Sequence, residues 1–140
     1  MNEPTTRRGL LRSVGAGVTS VGVAAFAGCL GASSGERVAM TDGLVFDPGT
    51  VAVAPGDTVQ WTNEGDIPHT VTAYESRLPA GARFFASGGF ETERAARNDI
   101  KGGLIHTGET FEHVFEVAGS YAYFCVPHEG SRMIGTVRVD

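Results

Sequence analysis

The stretch GETFEHVFEVAGSYAYFCVPHEGSRMIGTVRV, residues 108–139, decides the fold. Residues 110–117, TFEHVFEV, alternate apolar and polar, which is the period-two pattern of a half-buried strand. Phe111, with Val114 or Phe115 according to register, is expected to face inward. Gly119 marks a turn, and beyond it Tyr121, Tyr123 and Cys125 fall on one face while Ala122 and Phe124 fall on the other. Ile134–Val139 is a β-branched closing strand. With Cys125 at the end of a strand, the next eight residues, VPHEGSRM, can form one tight loop.

Strand signals continue upstream. Residues 44–47 precede Pro48-Gly49, and residues 50–54 precede Pro55-Gly56-Asp57. In residues 58–62, TVQWT, Val59 and Trp61 share one face. HTVTAY, residues 69–74, reads as a further strand. Regular short strands separated by turns predict an all-β sandwich or barrel. Residues 75–109 break this pattern. They hold one helical signal, from Glu91 to about Asp99, and glycines on both sides make them an excursion laid over the sandwich. No internal repeat and no phosphate-binding loop is evident.

The chain has 140 residues and a net charge of −5, enough for one domain and a leader. The first 28 residues carry three arginines and one glutamate, leaving about −7 for residues 29–140. That balance argues against nucleic acid as a partner, because binding phosphate backbones needs a basic footprint. Lys101 is the only lysine, and an acidic, lysine-poor surface fits a salt-rich setting.

Thr6-Arg7-Arg8-Gly9-Leu10-Leu11-Arg12 resembles a twin-arginine export signal, and the weakly apolar run from Ser13 to Gly28 is short for a membrane span. Phe26-Ala27-Gly28-Cys29 resembles a lipobox, with Cys29 as the acyl acceptor. Residues 1–28 are therefore expected to be a twin-arginine lipoprotein signal peptide. Residues 29–37 would be a lipidated tether and residues 38–140 the folded domain. Twin-arginine export carries folded proteins and suits one that acquires a metal first. With Cys29 lipidated, Cys125 has no disulfide partner, and an exported lone thiol needs protection.

Cys125, His128 and Met133 follow the spacing C-x2-H-x4-M, and a tight loop there could aim a thiolate, an imidazole and a thioether at one point. Pro127 stiffens the loop and Gly130 lets it bend. His69, which enters a strand after Pro68, is the best candidate for a fourth ligand. Two imidazoles, a thiolate and a thioether form the donor set of blue copper. Zinc competes, because C-x2-H can be half of a structural site, but methionine is a poor zinc ligand and no second cysteine remains in the domain. A Cys–His nucleophile would need an orienting group and an oxyanion hole, which nothing in the sequence marks. His106 and His113 read as surface or strand residues.

From about Val45 onward the chain resembles the plastocyanin-type cupredoxins, and most closely the halocyanins, the membrane-attached blue copper proteins of halophilic archaea. The resemblance rests on the closing stretch above, on VAVAPGDTVQWTNEGDIPHTV (51–71), on FFASGGFETERA (84–95) and on the leader. It implies an eight-stranded Greek-key sandwich with one type 1 copper ion at one end, ligated by His69, Cys125, His128 and Met133. It also implies that Thr70 ties together the two ligand-bearing segments, and that backbone N–H groups near Cys125 bond its sulfur. His128 would show its edge to solvent within an apolar rim of Ile67, Pro68, Pro127 and Ile134. Phe124 stands where plant members expose a tyrosine, so a side-facing partner site lacks its hydroxyl here.

The expected function is a monomeric, non-enzymatic one-electron carrier, lipid-anchored on the extracytoplasmic face of the cell membrane and serving membrane redox complexes. The alternative, copper storage or delivery, predicts extra methionines or histidines near the site, and the chain has three methionines and four histidines. An oxidase or nitrite-reductase fragment would need a second histidine-rich copper site. His106 and His113 are badly spaced for one on extended chain.

Overall fold

A computed structural model describes residues 35–140. The expected signal peptide, Cys29 and most of the expected tether lie outside the described residues. Eight strands form two four-stranded sheets. The first contains β1 (Gly35–Met40), β2 (Phe46–Asp47), β4 (Asp57–Asn63) and β6 (Thr110–Phe115), in the order β2-β1-β4-β6. The second contains β3 (Thr50–Val53), β5 (Thr72–Ala73), β7 (Gly119–Phe124) and β8 (Ile134–Val139), in the order β3-β8-β7-β5. The pairs β1–β4 and β3–β8 run parallel, and the remaining pairs are antiparallel. This is the expected all-β sandwich. Strand β1 begins at Gly35, three residues before the expected domain start at Val38. Among the described residues no helix is long and apolar enough to cross a membrane.

The alternation read from the sequence places the core. Val59 and Trp61 are fully buried, as are Tyr123 and Cys125, with Tyr121 nearly so. Trp61 stands at the centre of an aromatic cluster, 5.2 Å from Tyr123, 5.6 Å from Phe111 and 6.0 Å from Phe85 between ring centroids. Such pairs add to the burial energy of large rings. Opposite Tyr123 in the β7–β8 register lies Gly135, where a Cβ would collide with the tyrosine ring.

Two strand readings change. Residues 44–47 shorten to Phe46–Asp47, because Leu44 N donates to Thr41 O and Leu44 takes φ 60° to close that turn. Residues 69–74 shorten to Thr72–Ala73, because Thr70 N donates to Cys125 Sγ and Val71 N to Ser87 Oγ. Those amides are satisfied by side chains instead of a ladder. The register of β6 turns Phe111, His113 and Phe115 inward and leaves Val114 exposed.

The excursion holds 3-10 turns at Glu75–Arg77 and Lys101–Gly103 and one helix, α1 (Glu93–Asn98). Thr92 caps α1 by accepting from Ala95 N. Glu75 and Glu93 each accept the other's backbone N–H at 2.9–3.0 Å. The excursion does more than cover the sandwich. Phe85 enters the core, and residues 85–87 pair with residues 71–73 through Ala73 N to Phe85 O and Ser87 N to Val71 O.

His113, now a strand residue on the inner face, stacks on Phe85 at 4.6 Å and meets Phe115 edge-on at 4.8 Å. Burial, with the Arg83 charge assisting, pulls its pKa down from 6.5 to about 4. Between those values the unfolded chain binds a proton at this site that the folded chain refuses. The contribution is therefore complete above pH 6.5 and lost as pH falls toward about 4. Melting temperatures measured at pH 7 and pH 5 should differ less in His113→Phe than in the parent. Equal differences would show that His113 accepts its proton freely in the fold.

Candidate metal centre

The loop after β7 carries the closing motif. Cys125 is the last extended residue, Val126–Ser131 wind into 3-10 turns with Pro127 in the first turn, and Arg132 ends them at φ 64°. His128 N donates to Cys125 O, Met133 N to His128 O, and Cys125 N to Met133 O. These bonds fold the nine residues onto themselves, so Cys125 and Met133 sit side by side at the mouth of the loop. Both are fully buried.

His69 arrives from the opposite side. Its N–H donates to Ile105 O, and its carbonyl accepts from Ile105 N, a single bridge that fixes its backbone. The Cys125 Sγ lies 3.2 Å from His128 Nδ1 and 3.9 Å from His69 Nδ1, and all three donor atoms lie within 4.8 Å of one another. Donors sharing one ion at bond lengths of ~2.0–2.3 Å stand roughly 3–4 Å apart, so the three fit a single metal. Met133 adds a buried soft sulfur at the same loop mouth. The structure brings all four sequence-predicted residues to one end of the sandwich. His106 and His113 stand apart from this cluster.

Burial acts in opposite directions on the two groups, disfavouring the proton on His69 and favouring it on Cys125. Burial first, and then the neighbouring His128, lower the His69 pKa, so the ring is neutral near pH 7. With Nδ1 turned to the sulfur, its proton belongs on Nε2. That atom is buried without a hydrogen-bond partner, although the Thr41 carbonyl is near enough to favour the protonated ring. Burial pushes the Cys125 thiol up, and the hydrogen bonds from Thr70 and His128 oppose that shift. A buried thiol that resists ionisation needs a cation beside it to become a thiolate. Thr70 N donates to the sulfur at 3.3 Å, and Thr70 Oγ1 accepts from Val126 N at 2.7 Å. Thr70 thus ties the two ligand segments, as expected, and orients the sulfur.

Two positioning residues escaped the sequence reading. Buried Asn63 donates through Nδ2 to Ile67 O and Ile105 O, at 2.8 and 2.9 Å, and accepts from Gly65 N at 2.9 Å. Its signal was legible, since it continues the inward face of Val59 and Trp61 as a polar residue in the core. Asp42 accepts from Asp66 N and Ile67 N at 2.8 and 3.0 Å. No local pattern announces that contact. Together they brace the loop that delivers His69.

Around the site Ile67 and Pro68 are half-buried, His128 is half-buried, and Pro127 and Ile134 are exposed. The nearest thing to an exit from the buried centre is the His128 imidazole.

Residues 34–140 match the family described as copper binding proteins of the plastocyanin/azurin family. Chloroplastic plastocyanin of Tetradesmus obliquus is 37% identical over 111 residues, covering 79% of this chain and 64% of that protein. Plastocyanin of Scenedesmus fuscus is 36% identical over 111 residues, covering 79% of this chain and 95% of that one. A purple cupredoxin from Nitrosopumilus maritimus superposes with a TM-score of 0.54 at 24% identity, covering 75% of this chain and 99% of its own, a likeness of fold. With His69, Cys125, His128 and Met133 arranged as a type 1 copper site, the chain belongs to the plastocyanin/azurin family of copper-binding cupredoxins.

Proposed function

We propose that this protein is a one-electron carrier of the halocyanin kind, held on the extracytoplasmic face of a membrane by a lipid on Cys29 and moving electrons between membrane redox partners. The observation that carries the electron-transfer reading is the convergence of one thiol and two imidazoles, within reach of a single ion, at a buried sandwich end with Met133. Copper held there supplies a Cu(II)/Cu(I) couple. The residues do the rest. Soft sulfur from Cys125 and Met133 suits Cu(I), and the imidazoles suit both states. Backbone bonds within the loop, the Thr70 tie and the His69–Ile105 bridge hold the donors still, so little reorganisation accompanies a change of oxidation state. His128 offers the half-buried edge through which electrons pass, and the apolar residues around it are suited to docking in salt that screens charge beyond a few ångströms. No substrate pocket is required, and the protein is not an enzyme in this reading.

Membrane attachment rests on the lipobox and the twin-arginine leader in the sequence. The test is direct. Cu(II) added to the purified protein should give one equivalent of bound metal and an intense visible band, reversibly bleached by a one-electron reductant. Mass spectrometry of the membrane fraction should find an acylated Cys29. Tight zinc binding with no visible band would overturn the carrier reading, and an unmodified Cys29 on a soluble protein would overturn the anchor.

A further inference from the structure

The loop that carries His128 is gripped by a part of the chain that contributes no ligand. Arg97, in α1, donates through Nη1 and Nη2 to the two carboxylate oxygens of Glu129 at 2.7 and 3.2 Å. Its Nε donates to Glu93 at 2.8 Å, and its guanidinium lies 4.3 Å above the Phe124 ring. Tyr74 donates its hydroxyl to Glu129 Oε2 at 2.7 Å and stacks on the same Phe124 ring at 4.3 Å. Arg77 lies over the far face of this assembly, 4.6 Å from the Tyr74 ring centre. Phe124, whose neighbour is Cys125, is fully buried under these groups.

Most exposed ion pairs contribute little. This one differs in geometry. The fork-to-fork contact and the planar cation over an aromatic ring each restrict the guanidinium, so little freedom remains to be lost. The loop also has few other outer holds. Pro127, Gly130, Ser131 and Arg132 are exposed, and the space beside Gly130 is open. On the outer side, Glu129 is the residue through which the loop is fastened to the excursion.

We propose that Arg97 is a positioning residue for His128, and that residues 75–109 serve as a clamp holding the ligand loop in its metal-binding shape before metal arrives. This rests on the reading of His128 as a copper ligand. The clamp also occupies the Phe124 face, so docking is confined to the His128 end.

The test uses the full-length protein and three variants: Arg97→Met, Arg97→Lys and the charge-balanced pair Arg97→Met with Glu129→Gln. In the metal-free protein, amide exchange at His128, Arg132 and Met133 should quicken roughly tenfold in Arg97→Met, with an intermediate change in Arg97→Lys. Exchange in β7 and β8 should stay at the parental rate. In the copper-loaded protein, transfer of copper to a chelator should quicken by a similar factor, and in the charge-balanced pair it should stay fast. Release that returns to the parental rate in that pair would assign the effect to an unbalanced charge and overturn the clamp. Loop exchange that is unchanged, or that quickens equally in the sheets, would also overturn it, even in a protein that turns blue. Faster loop exchange in a protein that takes up no copper would remove the ligand reading, and with it the role in positioning a ligand.

Discussion

Cys125→Ser should fold and yet show no intense visible band when Cu(II) is added. The serine hydroxyl can still accept from Thr70 N, which donates to the sulfur at 3.3 Å in the parent. It is also a smaller group in the same buried position, so the stability change should be about 1 kcal/mol. The lost chemistry is far larger. A thiolate is the soft, strongly donating ligand on which the charge-transfer band depends, and an alcohol does not ionise in its place. Loss of outer partners alone weakens metal sites by ~10–100-fold, so loss of the thiolate should weaken copper binding by more than about 100-fold. Absorption spectra and a competitive chelator titration measure both effects. A band that persists in the serine variant would place the chromophore on other residues.

Asn63→Ala should cost about 3 kcal/mol and loosen His69. Asn63 makes three hydrogen bonds from a side chain with almost no exposure. Ile105 O would retain its bond from His69 N, but Ile67 O and Gly65 N would each lose the partner supplied by Asn63. Unsatisfied buried groups cost ~1–3 kcal/mol each, and the vacated volume adds to that. For a domain of this size, 3 kcal/mol corresponds to a fall in melting temperature of roughly 12–20 °C. Urea unfolding of the metal-free protein gives the energy. Exchange at the His69 amide reports the local effect and should quicken more than exchange at Val59, which shares β4 with Asn63. Asn63→Asp keeps the acceptor for Gly65 N and loses both donors, so it should be damaging too. A cost below about 1 kcal/mol for the alanine variant would mean that the loop from Gly65 to Pro68 holds its shape by other contacts.

These two positions differ in how readable they were. Cys125 announces itself, since C-x2-H-x4-M on an alternating strand packs three metal-binding side chains into one tight loop. Asn63 was readable only in part. Its place on the Val59–Trp61 face marks it as an inward polar residue, but its three acceptor and donor partners come from residues 65, 67 and 105. Arg97 was not readable at all. A charged residue on a short helix belongs by default to solvent, and only the packing of α1 beside β5 sets it over Phe124 and against Glu129.

The same division runs through the fold. Strands β4, β7 and β8 were legible because period-two alternation is a local property of the chain, dictated by which side of a pleat each residue occupies. The register of β6 was not, because Val114 and Phe115 are both apolar and only pairing with β4 selects the inward one. The segment 69–74 looked like a strand by composition. It lost most of its ladder because Cys125 and Ser87, distant in sequence, claim its amides. By itself, then, the sequence determined the sandwich class, the identity of the four metal-binding residues and the loop that carries three of them. Tertiary structure alone decided what holds those residues still: the His69–Ile105 bridge, the Asn63 and Asp42 braces and the Arg97–Glu129 clamp. The physical reason is range. Alternation and ligand spacing are written in neighbouring residues, whereas a hydrogen-bond partner for a loop can come from anywhere that the folded sheets bring within 3 Å.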